Sequence, residues 1–287
     1  MMPLDTRQLR RAFDRASPGY DRVAVLQHEV RQELLARLDL ARIAPRHVLY
    51  AFPGTVRGSA ALARRFRRAR VTALDLAEGM LCETRRNRPW RSGIRAVCGD
   101  VSRLPLATGS MDLVFSSLVL QWCDEPATVL REFRRVLAPR SLLTFATLGP
   151  DTLKELRSAW AAVDAMPHVH RFMDMHDVGD AIVGAGFADP VLDVDYTVLT
   201  YDDVRSLMCD LKAVGAQNAS QDRARGLTGK HKLEALRAAY EPQRRDGRLP
   251  VTYEIVYANA WTPAEGATRH EARIRPEMIG RRVRGDQ

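Results

Sequence analysis

Four cysteines in 287 residues (Cys82, Cys98, Cys123 and Cys209) stand far apart with no C-x-x-C pair, which argues against a zinc knuckle and a disulfide framework. No apolar run reaches the length of about 18 residues that a membrane helix requires. A charged-then-apolar leader ending in small residues is missing too, so the default compartment is the cytoplasm. Neither a G-x-S-x-G elbow nor a P-loop lysine occurs, which removes the hydrolase and nucleoside-triphosphatase readings. Aromatic residues make up 7% of the chain and none interleaves the arginine runs as a base-stacking surface would demand, so nucleic acid is not the expected partner.

What is abundant is arginine. The formal net charge is +9, with the excess spread over amphipathic helical stretches such as Arg64 to Arg68 and Arg131 to Arg135. Such a surface is either solvated or meets an acidic macromolecule.

Short apolar runs recur at His47 to Ala51, Val71 to Leu76, Ile94 to Cys98, Leu113 to Ser116 and Leu142 to Leu148. Each is separated from the next by a helical pattern, the signature of a parallel sheet with helices on both faces. Before them, residues 6 to 40 carry apolar side chains at helical spacing, read as two helices broken at Ser17-Pro18-Gly19. After Gly149-Pro150 the rhythm changes. A helix is predicted over 151 to about 163, strands over 191 to 199 and 251 to 261, and helices over 202 to 214 and 230 to 240, with the last two helices forming a cap. Beyond 262 the chain is polar and basic and is expected to fray.

In a doubly wound sheet the ligand lies at the carboxyl ends of the strands. Asp75 ends the second run, where a carboxylate can accept both hydroxyls of a ribose or cap the next helix. Asp100 ends the third, where it can accept from an adenine amino group or cap a turn. His168, His170, Asp174 and His176 invite a metal, but their spacing matches no familiar zinc pattern and none is expected.

Taken together, Asp75-Leu76, Gly79-Met80-Leu81, Asp100, and Leu104-Pro105-Leu106 before Met111 to Val114 resemble the class I S-adenosylmethionine-dependent methyltransferases. The runs Phe115 to Trp122, Leu148 to Leu156, Arg171 to Asp177, Leu211 to Ala216 with Asn218, Gly226 to Gly229 and Leu249 to Glu254 narrow this further. They resemble the malonyl-acyl-carrier-protein O-methyltransferases of biotin synthesis, as does the Phe13, Tyr20-Asp21 spacing.

The resemblance implies a Rossmann-like α/β fold, mostly parallel with the last strand antiparallel. It would comprise a helical lid (1 to 45) and a catalytic domain (46 to 261), with helical cap insertions at about 150 to 185 and 200 to 245. It implies S-adenosylmethionine as cofactor, held by Tyr20, Gly54, Asp75, Leu76, Asp100, Val101, Ser117 and Gln121. Arg171 and Tyr20 would bind the malonyl group. No residue is expected to act as acid or base, since a malonyl carboxylate is already ionised near neutral pH. The acidic acyl carrier protein would dock on a basic cap built from Arg205, Lys212, Arg223, Arg225, Lys230 and Lys232.

One motif departs from the family. The first strand of such enzymes ends in D-x-G-x-G-x-G, whereas here Tyr50 stands for the acid, Phe52 and Val56 stand for two glycines, and Gly54 alone remains. Glycine gives a ligand close access to the main chain, so the methionine end of the pocket is expected to be narrowed. A repurposed, non-catalytic assembly factor with weakened cofactor binding is the alternative, and a small-molecule methyltransferase the third.

Overall fold

The apolar runs are too short for helices, and each becomes a strand. The computed structural model describes residues 4–90, 92–221 and 229–264. The chain opens with α1 (Thr6–Ala16), α2 (Tyr20–Val23) and α3 (Val25–Arg37). Three helices thus stand where two are expected: besides the break at Ser17 to Gly19, Ala24 leaves the helical region with ψ 55° and separates α2 from α3.

Alternation follows through β1 (His47–Ala51), α4 (Val56–Arg65), β2 (Arg70–Asp75), α5 (Glu78–Asn87), β3 (Ile94–Cys98), β4 (Met111–Ser117), α6 (Pro126–Val136) and β5 (Leu137–Leu148). The remaining elements are α7 (Lys154–Ala161), α8 (Met175–Gly184), β6 (Ala188–Tyr201), α9 (Val204–Ala213), α10 (Lys230–Tyr240) and β7 (Leu249–Trp261). Asp174 and Asp203 cap α8 and α9 by accepting from the amides of Asp177 and Ser206.

The seven strands form one sheet in the order β3-β2-β1-β4-β5-β7-β6. β1 to β5 pair in parallel, and β7 runs antiparallel to both β5 and β6, as expected for the last strand. β5 begins five residues before the expected Leu142, because Met111 of β4 pairs with Leu137 before an irregularity shifts the register to Leu113 with Leu142. Along β1 the side chains alternate: Val48 and Tyr50 enter the core on one face, Leu49 and Ala51 that on the other. α8 packs on α6 and β6, whereas α9 reaches across to α1, α2 and α10. Among the described residues no helix is long and apolar enough to cross a membrane.

From β1 the chain winds outward to β2 and β3, then returns to place β4 on the other side of β1, so the strand order reverses between β1 and β4. That switch opens a crevice at their carboxyl ends. The N-terminal helices roof it and are tied down by polar contacts. Asp14 accepts from the Gly79 amide (2.8 Å), and Asp21 accepts from the Thr55 hydroxyl (2.5 Å) and pairs with Arg57 (3.2 Å).

One packing contact fixes the start of the crevice. The Tyr50 ring, 1% exposed, lies edge-on to Phe115 and directly against the backbone of α4 at Gly58. A Cβ at position 58 would sit 2.4 Å from Tyr50 Cε1 and 2.7 Å from Arg31 Cδ. We therefore expect Gly58→Ala to destabilise the protein by about 1–3 kcal/mol through overpacking, although alanine is intrinsically about 1 kcal/mol better than glycine inside a helix. Urea denaturation reads this, and an unchanged or higher midpoint contradicts the packing.

Candidate functional site

Two cavities adjoin at the carboxyl ends of β1, β2 and β4. The larger, about 580 Å³, is bounded by Tyr20, Arg31, Tyr50, Gly54 and Ser117 on the sheet and lid side and by Trp160, Phe172 and Asn218 on the other. The smaller, about 340 Å³, holds Asp75, Leu76, Asp100 and Val101, closed over by Thr6 and Leu9 of α1. Phe52 and Trp122 line both.

Asp75 is the most constrained polar group of the pair. It is 1% exposed at the end of β2. Its Oδ1 accepts from the Ala77 amide at 2.8 Å, a local cap, while Oδ2 is buried without a hydrogen-bond partner. The capping reading is therefore met by Oδ1, and Oδ2 is the oxygen left for a ligand. Burial raises its pKa to about 7, against the pull of the Ala77, Gly54 and Leu76 amides. A buried carboxylate oxygen left open toward a cavity is a vacant acceptor for ligand hydroxyls. Asp100 shares that cavity from an exposed position, where Oδ1 accepts from the Ser102 amide and hydroxyl and so caps a turn.

The three departures in the turn after β1 have three separate fates. Tyr50 turns toward α4 and Arg31, as described above. Val56 becomes the first residue of α4 and packs into the core beside Leu26 and Val30. Phe52 takes the left-handed conformation, φ 62°, that glycine would adopt, and its ring meets Phe13 edge-on at 4.9 Å. Gly54 is also left-handed, φ 61°, and lies so close beneath Tyr20 that a Cβ there would sit 3.0 Å from the ring. The expected narrowing therefore falls on Phe52, at the junction of the two cavities, and the larger cavity stays open.

The remaining predicted positions divide. Tyr20, buried, closes over Gly54, and Ser117 and Gln121 line the larger cavity, Gln121 accepting from the Thr147 hydroxyl at 3.3 Å. Arg171 is exposed and does not line the larger cavity. It borders a neighbouring one of about 380 Å³ that shares Gln121, His168, His170 and Asn218 with it. Its charge helps lower the pKa of Arg157, after the larger effect of burial.

His168 stacks on Trp160 at 3.6 Å and bonds Asp164 at 2.7 Å, and His170 accepts from the Ala219 amide. Burial lowers the His170 pKa and favours its neutral form. Sequence reasoning missed Arg31, Trp122 and Trp160 among the residues that line the larger cavity. Of these, Arg31 carried a readable signal, a charged residue three positions before Leu34 on the buried face of α3.

The comparisons agree with this geometry. A family profile described as a methyltransferase domain matches residues 52–145. Among solved structures, a putative methyltransferase from Bacillus halodurans superposes with a TM-score of 0.60 at 19% identity, covering 81% of this chain and 100% of its own. Curated relatives are far nearer in sequence. The malonyl-[acyl-carrier protein] O-methyltransferase of Laribacter hongkongensis is 54% identical over 91% of this chain and 90% of the relative. That of Halorhodospira halophila is 48% identical over 98% and 97%. These names favour the methyltransferase reading over a repurposed assembly factor. On the strength of identities near one half across almost its whole length, the chain belongs to the malonyl-[acyl-carrier protein] O-methyltransferase family.

Proposed function

We propose that this protein transfers a methyl group from S-adenosylmethionine to the free carboxylate of a malonyl thioester on acyl carrier protein, an early step of biotin synthesis. The observation that carries the reading is the buried, half-satisfied carboxylate of Asp75 beside an open cavity at the switch point, in a chain of this family. The residues fit the cofactor. Asp75 Oδ2 is an acceptor for a ribose hydroxyl, Leu76, Asp100 and Val101 border the adenine end, and Gly54, Ser117 and Gln121 line the cavity that continues from it. Bound S-adenosylmethionine supplies an electrophilic methyl group on a sulfonium.

The protein's own contribution is positioning and exclusion of water. A malonyl carboxylate, with an ordinary pKa near about 4, is ionised without help, so no proton needs to be removed. Tyr20 and Tyr50 are held in the neutral phenol form, their pKa values raised chiefly by burial. Neither is a base. Tyr20, clamped by the lid over Gly54, shuts the cavity on the side of α2. We assign Arg171 to the malonyl carboxylate, entering through the cavity it borders, where its guanidinium can orient an oxygen while leaving another free to react. Alignment of this kind, in a closed site, accounts for rate without acid or base.

For the carrier protein we assign a basic surface on α9 and α10. Arg205, Lys212 and Lys230 are exposed there, and Lys212 also borders the larger cavity. Lys232 is tied to Asp164 at 2.8 Å and contributes less free charge. Arg223 and Arg225 lie outside the described residues.

Three outcomes test this reading. Asp75 must be ionised to accept from a ribose, and its carboxyl titrates at about 7 in the free protein. Because that value lies above the unfolded chain's, ionising it costs the free fold stability as pH rises toward 7, and bound hydroxyl donors relieve that cost. Affinity for S-adenosylhomocysteine is therefore expected to fall by up to about tenfold per pH unit below neutrality and to level off above about pH 8. Calorimetry of wild type and Asp75→Asn checks this, since the asparagine variant loses both affinity and pH dependence.

Arg171→Ala is expected to raise KM for malonyl carrier protein by about tenfold, the value of one charge-assisted contact. Unchanged kinetics on the malonyl substrate removes the assignment. Association with carrier protein is expected to weaken steeply between low and physiological salt, and a salt-independent KM contradicts the basic docking face.

A further inference from the structure

Arg31 is 6% exposed, borders the larger cavity, and has no carboxylate of a described residue within ion-pair distance. Its neighbours are Tyr50 and His28. The His28 ring nitrogen Nδ1 stands 2.6 Å from Arg31 Nη2. Burial first, and then the charge of Arg31, holds His28 toward its neutral form, so it accepts from the guanidinium without neutralising it. The Tyr50 hydroxyl is the second partner, and its pKa is raised by burial despite the opposing charge and hydrogen bond of Arg31.

A buried guanidinium with neutral partners leaves a positive charge uncompensated, which is costly unless an anion completes it. The pair is also held in place. The Arg31 stem and Tyr50 ring fit against α4 through the space left at Gly58.

We propose that Arg31, oriented by Tyr50 and His28, binds the amino-acid carboxylate of the cofactor. This rests on the reading of S-adenosylmethionine as cofactor and extends it to the methionine end. Two carboxylates enter this site, one on the cofactor's amino-acid arm and one on the malonyl group; Arg31 borders the larger cavity, and Arg157 and Arg171 border the one beside it. Arg31 lies on the Gly54 and Tyr20 side, and both its charge and that of Asp75 act on Tyr20. Arg171 lies on the His170 and Asn218 side. The side shared with Asp75 is the side of the nucleoside. Tyr50, at the end of β1, sets a neutral hydroxyl rather than a carboxylate against Arg31, which leaves the guanidinium's charge to an incoming anion.

The test compares two nucleosides by calorimetry: S-adenosylhomocysteine, which has the amino-acid arm, and 5′-methylthioadenosine, which lacks it. Arg31→Met removes the charge at similar length, and Arg31→Lys keeps it while losing the planar fork. The expected result is that Arg31→Met weakens S-adenosylhomocysteine by about tenfold or more, leaves 5′-methylthioadenosine within about twofold, and is partly rescued by Arg31→Lys. The quantity read is the ratio of the two affinities, so either variant that folds decides the matter.

Equal losses for both nucleosides indicate a merely structural role and overturn the proposal. So does unchanged S-adenosylhomocysteine binding accompanied by a raised KM for malonyl carrier protein, which gives Arg31 to the other carboxylate. Failure of the wild type to bind S-adenosylhomocysteine overturns the cofactor reading itself, and is distinguished because it appears before any substitution is made.

Discussion

Between Ala51 and Val56 the backbone leaves β1 and starts α4 within four residues, and it makes the turn with Phe52 and Gly54 both in the left-handed region. For an L-residue such as Phe52 that conformation costs about 1–2 kcal/mol. The surroundings hold it there: the Phe52 amide donates to the Leu74 carbonyl at 2.8 Å, and Phe13 meets its ring edge-on. An aromatic pair of this kind contributes about 0.5–1.5 kcal/mol beyond burial. Phe13 belongs to α1, so the strained turn and the lid stabilise one another. A turn relaxed to another path would withdraw Gly54 from Tyr20 and Phe52 from Phe13 together.

The lid is coupled to the sheet at separate points, and each contact reaches a different strand-end. Asp21 holds Thr55 and Arg57 at the start of α4, after β1, while Asp14 holds Gly79 at the start of α5, after β2. Leu4 reaches Asp124 beyond β4. The short first helices, which expose much of their surface, are thus positioned by the same carboxyl-terminal edge that forms the site. Between these polar ties Leu9, Phe13 and Tyr20 pack into an apolar cluster with Ala77, Met80 and Val214, so the helices are held by burial as well as by hydrogen bonds.

The sheet was legible because buried parallel strands write themselves as short apolar runs, and pairing in register needs little else. Its edges were less so: β5 extends back to Leu137 through a local irregularity, and β6 runs from Ala188 because β7 offers partners along its whole length. Asp75 was legible from its place after β2. The substituted turn was legible as a departure but not in its consequence. Whether Tyr50 fills the ligand's space or turns away from it depends on the absence of a side chain at Gly58, a residue on the next helix. Arg31 was obscured by composition, since one arginine among many reads as solvated surface until its position on the buried stripe of α3 is noticed.

The composition of the larger cavity bears on how exclusion of water would assist the proposed transfer. Its walls are largely aromatic and aliphatic, with Arg31, Asp210 and Lys212 as charged side chains on the border, Tyr20 and Tyr50 kept neutral and His170 biased to its neutral form by burial. A carboxylate brought there loses hydration, and in a medium of low polarity its attraction to a cation rises sharply. Joining an anion to a cationic methyl donor gives neutral products, so charge is lost on the way to the transition state. Water would stabilise the separated charges and slow the step, whereas an apolar wall does not. A base would add nothing to such a reaction, and a fixed anion near the carboxylate would oppose it. Buried cations are tolerable only if each is matched to an anion the ligands bring. Arg31, buried at the edge of the larger cavity, meets that condition only with an anionic ligand beside it, whereas the exposed Arg171 is solvated without one.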